Sequence, residues 1–241
     1  MIPRIGITAV MAAIGFAALP AMAASPPNAH QPALQPAHQP TQASHSPDWR
    51  YTYAAPSRHQ AAPFALPAAA SVLFSNFASA YPNGLYFSGE GNTITGPGVL
   101  FSPGITSAAQ FTPAAAGTAT SVYAAVGYIS GNSLVDVSIY TDASGVPGTA
   151  LVSAETGVKP VAGACCQVIK ARFPSGVALS AGTPYWVVIA ADSPSNSTFS
   201  GAWALSTTNQ VSDVLAGTNF DGAGWKSYPT NTPPAFAVTG D

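Results

Sequence analysis

SLVDVSIYT, residues 133 to 141, alternates apolar and polar side chains: Val135, Val137 and Ile139 fall on one side, Asp136, Ser138 and Tyr140 on the other. Successive strand residues point to opposite faces, so a period of two over this length reads as a half-buried β-strand. ATSVYAAVGYI (119–129) precedes it, and the two read as a hairpin turned at Ser130-Gly131-Asn132. DASGVPG follows, where Asp142 can accept backbone N–H bonds in a turn and the glycines supply positive φ.

Working outward, GTPYWVVIAAD (182–192) is a second strong strand and PPAFAVTG (233–240) reads as the last. The sequence shows no amphipathic helix of three turns. Many short strands divided by Gly/Pro-rich turns predict an all-β domain over residues 70–241, a two-sheet antiparallel sandwich of jelly-roll or Greek-key type. Apolar residues make up 47% of the chain, enough for one sizeable core. Charged residues are 7% and the net charge is -2, so there is no basic face to hold phosphates and nucleic acid is not expected as a partner.

The N-terminus has a different character. One positive charge at Arg4, an apolar run from Ile5 to Leu19 and the triplet Ala21-Met22-Ala23 make residues 1–23 a secretory signal peptide. The apolar run is shorter than the roughly 20 residues that cross a bilayer, so no membrane span is expected after processing. Residues 24–69 are rich in Pro, Gln and Ala, with Gln-Pro pairs at Gln31, Gln35 and Gln39. Pro removes backbone donors and favours extended chain, so this stretch reads as a disordered, semi-rigid linker. His30, His38, His45 and His59, all the histidines of the chain, lie in it at spacings that match no compact ligand set. Within the linker, Trp49, Tyr51 and Tyr53 alternate like a short strand and are expected to dock onto the domain.

AAQFTP (108–113), VDVSIYTDASGVPGTAL (135–151), LSAGTPYWVVI (179–189) and GWKSYPTNTPPAFAVTG (224–240) resemble, in order, landmarks of the secreted bacterial β-sandwich domains called choice-of-anchor R. The resemblance implies the fold and an exported setting, either secreted or periplasmic. It implies no activity and no catalytic residues. Family members carry varied sorting signals at the C-terminus; none is read here before Thr239-Gly240-Asp241, so surface attachment is not expected.

The predicted domain contains no histidine, which removes Ser-His and Cys-His catalysis. A carboxylate pair of glycosidase type is open arithmetically among Glu90, Asp136, Glu155, Asp192, Asp213 and Asp221. Asp192 and Asp221, however, sit among Gly, Ser, Pro and Asn, where Asp makes turns. No cofactor is expected; Ca²⁺ is the one option, at Asp142 in TDASG and Asp221 in NFDGAG, against plain Asx-turns. Trp225, Tyr228, Asp221 and Trp203 are the candidate ligand-binding residues, with Trp203 and Trp186 equally readable as core. Cys165 and Cys166 are adjacent, and no third cysteine exists. Neighbouring Cα atoms are about 3.8 Å apart, closer than a relaxed disulfide prefers. One thiol packed inward is therefore expected, ahead of a strained vicinal disulfide and of an intermolecular bridge.

These readings converge on a non-catalytic, exported envelope or extracellular interaction module, whose partner is a protein or a polysaccharide. A carbohydrate-binding domain is the alternative and a glycoside hydrolase-like enzyme the third.

Overall fold

The stretch 133–141 is a strand, and its neighbours form strands as well. In the computed structural model they are β1 (Arg50–Thr52), β2 (Ser71–Ser75), β3 (Phe87–Thr95), β4 (Thr106–Phe111), β5 (Gly117–Ser130), β6 (Leu134–Asp142), β7 (Pro147–Gly157), β8 (Gln167–Leu179), β9 (Tyr185–Ala191), β10 (Ser200–Leu205), β11 (Leu215–Thr218), β12 (Trp225–Tyr228) and β13 (Phe236–Gly240). The structure describes residues 50–52, 64–68, 70–77, 86–99, 104–158, 166–192, 197–207, 215–218, 224–228 and 232–240. All of them fall in the compact unit Thr41–Asp241. The expected signal peptide and most of the expected linker lie outside the described residues.

Two antiparallel sheets pack together. One has the order β12-β11-β4-β9-β6-β7; the other runs β1-β3-β10-β5-β13-β2, with β8 also paired to β5. The second sheet curls into a half-barrel. Its organiser is β5, 14 residues long, because one strand of that length serves several partners. Val126 pairs Trp203 of β10 and Gln167 of β8, while Tyr123 pairs Ala237 of β13 and Lys170 of β8.

The hairpin expected between 119–129 and 133–141 is not formed: β5 belongs to the half-barrel and β6 to the six-stranded sheet. Ser130-Gly131-Asn132 is an arch from one sheet to the other. Gly131 has φ +89°, and a Cβ there would collide with the Thr198 carbonyl oxygen, so only glycine lets the arch pass. Asn132 N–H donates to Thr198 Oγ1 at 3.1 Å and Val158 N–H to Ser133 O at 2.7 Å, tying the arch to both sides. The true hairpin is the next one, β6 to β7. Ala143 N–H donates to Val146 O at 2.8 Å across the turn, with Ser144 and Gly145 at φ 59° and 86°. Two successive positive φ values match the twist of a tight hairpin.

Alternation then builds the core. Val122, Ala124 and Val126 of β5, Trp203, Phe236 and Val238 face Ala109, Phe111, Val135, Val137, Ile139, Val187 and Ile189 of the six-stranded sheet. Phe236 and Phe111, from opposite sheets, meet edge-on at 6.0 Å, and Phe74 of β2 stacks on Phe236 at 5.0 Å. Trp203 crosses Phe236 at 5.6 Å. Burying these rings is the main source of stability, and truncating one such as Phe236 to Ala costs about 3–5 kcal/mol.

Part of the expected linker belongs to this fold. Arg50, Tyr51 and Thr52 pair antiparallel with Asn92, Gly91 and Glu90 of β3, the docking that DWRYTY suggests. Phe64 lies against Phe77 at 5.7 Å and Tyr123 at 5.4 Å on the outside of the half-barrel.

Candidate functional site

With Ala109, Phe111, Val135, Val137, Ile139, Val187 and Ile189 turned inward, the period of two turns Ala108, Gln110, Asp136, Ser138, Tyr140, Asp142, Trp186 and Val188 outward. Outward faces of antiparallel sheets are ordinarily polar. This one carries an apolar band. Register places Tyr140 beside Trp186 and Trp186 beside Gln110 in one row, with Ser138, Val188 and Ala108 in the next. Trp186, Val188 and Ala108 form a buried cluster of their own, flanked by half-buried Tyr140 and Trp225. At the β7 end Leu151, 41% exposed, stands where the β6–β7 register shifts beside Tyr140.

Asp142 orients the band. Its Oδ1 accepts the Trp186 indole N–H at 2.8 Å, the Gln110 amide N–H at 2.9 Å and the Gly145 backbone N–H at 3.2 Å; Oδ2 is also 3.2 Å from Gly145 N. Desolvation by burial raises the pKa of this carboxyl. The hydrogen bonds from Trp186, Gly145, Gln110 and Ser144 together outweigh it and hold the group below its ordinary range. A carboxylate ringed by N–H donors is the reverse of a cation site, which needs neighbouring oxygens. Asp142 therefore does the work of a turn and an aromatic anchor. Asp221, the other calcium candidate, lies outside the described residues. Among the described residues no group of three or more His, Cys, Asp or Glu is placed to hold a metal ion.

At the other end of the face Asp136 and Glu155 are register partners on β6 and β7. Glu155 is hydrogen-bonded to Asp192; that bond, the Asp192 charge, desolvation and the Asp136 charge push its pKa up. Glycosidase carboxyls stand about 5–5.5 Å apart, or about 6.5–9.5 Å when a water lies between them. Glu155 and Asp192 touch instead.

The other candidates divide. Trp225 sits in β12 and not in a loop, pairs with Thr218, and is half-buried against the Trp186 cluster. Tyr228 ends the same strand, paired with Leu215. Trp203 is a core residue: none of it is exposed, and its indole N–H donates to Ala235 O at 2.9 Å. Cys166 is disulfide-bonded, and Cys165, outside the described residues, is the only other cysteine of the chain. The inward packing is there, since Cys166 is buried with Tyr86, Ala125, Ala204 and Ala235, but the sulfur is not a free thiol. Tyr86 OH donates to Cys166 O at 2.8 Å. Burial pushes the Tyr86 phenol up to about 12, against a smaller lowering from that bond.

Sequence reasoning missed Tyr140, Gln110 and Leu151 as members of one face. The signal for Tyr140 was present, because alternation in SLVDVSIYT sets it on the side of Asp136 and Ser138. Gln110 and Leu151 come to it only through cross-strand register. Compared with models of known families and with curated proteins, the chain matches none.

Proposed function

We propose that this chain is a non-catalytic, exported interaction module of the bacterial envelope or extracellular space, a sandwich of jelly-roll or Greek-key kind that binds through the outward face of its six-stranded sheet. One observation carries the reading: exposed Leu151 and half-buried Tyr140 and Trp225, packed over the buried Trp186, lie where the outer face of such a sheet is ordinarily polar. Aromatic side chains supply contact area at low entropic cost. The Asp142 bond fixes the buried Trp186, which gives the half-buried Tyr140 and Trp225 a rigid support and limits what is lost in ordering them on binding. The motifs that resemble choice-of-anchor R domains, together with the signal-like N-terminus, support the exported setting.

Retention on a cell-envelope fraction tests it. Wild type is expected to be held, and Trp225→Ala to be released while its Tm stays within a few degrees, the shift that about 1 kcal/mol gives in a domain of this size. Equal retention of the two proteins would refute the assignment of the face.

A further inference from the structure

We infer that the outward face of the six-stranded sheet takes an uncharged polysaccharide, laid across the strands from Leu151 on β7 to Trp225 on β12. The inference rests on the reading of that face as the contact surface and names its ligand. Six strands at about 4.8 Å spacing make the sheet about 24 Å wide, a length that suits an extended polymer. A pyranose ring has an apolar C–H face that lies on an aromatic ring, and hydroxyls at its edge that both donate and accept. The face offers both complements. Tyr140 and Trp225 supply rings on either side of the buried Trp186. Gln110 gives one amide N–H to Asp142 and presents its carbonyl oxygen and second N–H, while Ser138 and Ser153 pair their hydroxyls at 2.8 Å in the adjoining row.

Charge selects the class. Asp136, Asp142, Glu155 and Asp192 lie along this face, and the only Lys or Arg in its six strands is Lys226, which alternates with Trp225. Phosphorylated or uronic-acid polymers would be repelled, whereas an uncharged glycan is not.

The test is retention of the full mature chain on insoluble cellulose, β-1,3-glucan, α-1,4-glucan and mannan, with polygalacturonate as the anionic control. At least one uncharged polymer should retain wild type and polygalacturonate should not. Trp225→Ala and Tyr140→Ala should each weaken retention tenfold or more with unchanged thermal unfolding, Trp225→Phe should restore much of it, and Lys226→Ala should leave it intact. If Trp225→Ala proves unfolded, Tyr140→Ala and Leu151→Ser, the latter at an exposed position, decide the matter. Retention by none of the uncharged polymers, or retention indifferent to every variant that folds, overturns the inference. Should the polymers fail while an envelope fraction still holds wild type and releases Trp225→Ala, the face remains the contact surface and only the ligand class is wrong. Should Trp225 matter in neither assay, the reading of the face falls with it.

Discussion

The indole N–H of Trp186 donates to Asp142 Oδ1 at 2.8 Å, so a residue at the end of β6 holds the buried tryptophan near the start of β9. The same oxygen serves Gln110 and Gly145. Asp142→Ala would leave three donors without their acceptor, and each buried one costs about 1–3 kcal/mol when water cannot reach it. The Trp186 indole is the deeply buried member of the three. The variant is expected to lower Tm by several degrees, at about 2–4 °C per kcal/mol, as read by calorimetry.

The same carboxylate sets a pH dependence. Its folded pKa lies below the unfolded value near 3.8, so its contribution is present above that pH and is lost as pH falls through the folded pKa. Tm measured from pH 6 down to 3 should fall more steeply for wild type than for Asp142→Asn, which does not titrate. Parallel curves would separate stability from this group.

Glu155 acts with the opposite sign. Hydrogen bonding to Asp192, the Asp192 charge and the Asp136 charge raise its folded pKa above the ordinary 4.5. Its favourable contribution is present below that pH and is lost as pH rises through the folded value, leaving the carboxylates to repel each other at neutrality. Glu155→Gln should therefore raise Tm at pH 7 and leave it nearly unchanged at pH 4. A fall at pH 7 would show that the charge is compensated in solution.

At Cys166 the expectation is chemical. Alkylation of unfolded protein without reductant should add no label, and reduction first should add two, with no change in apparent mass on non-reducing gels. A covalent dimer that reductant dissolves would place the bond between chains. Tyr86→Phe, which takes the donor from Cys166 O, should cost about 1 kcal/mol.

How far the sequence carries the fold is visible in β5 and β6. β6 follows from alternation, because one face of it is buried, whereas β5 reads as a strand from a near-continuous apolar run buried on both faces. Whether they pair with each other does not follow, since Ser130-Gly131-Asn132 suits a tight turn and an inter-sheet arch equally. The contact of Gly131 with Thr198, 67 residues away, is what decides for the arch. Asp142 was legible as a turn residue for the same local reason, and the hydrogen bond to Gly145 fulfils it. Its role toward Trp186, 44 residues on, was not. Trp225 was legible as a candidate aromatic contact residue, yet its sequence neighbours gave no sign of its strand partner Thr218 or of the Trp186 cluster it packs against.

Linker composition misleads in one place, and the error has a measurable consequence. Pro and Ala around Phe64 read as tether, but the ring meets Phe77 and Tyr123 on the outside of the half-barrel, where the Lys170 ammonium also lies 5.1 Å from the Tyr123 ring. Each aromatic contact is worth about 0.5–1.5 kcal/mol beyond the area it buries. Farther upstream, Arg50–Thr52 satisfies main-chain groups on the edge of β3. A protein beginning at residue 70, the boundary composition suggests, should therefore melt several degrees below one beginning at residue 48, and Phe64→Ala in the longer protein should reproduce part of that loss. Limited proteolysis gives a second readout: with Arg50–Thr52 paired and Phe64 docked, subtilisin should trim the chain to a core that starts upstream of residue 64. Equal Tm values together with trimming to residue 70 would return the whole of residues 24–69 to the tether.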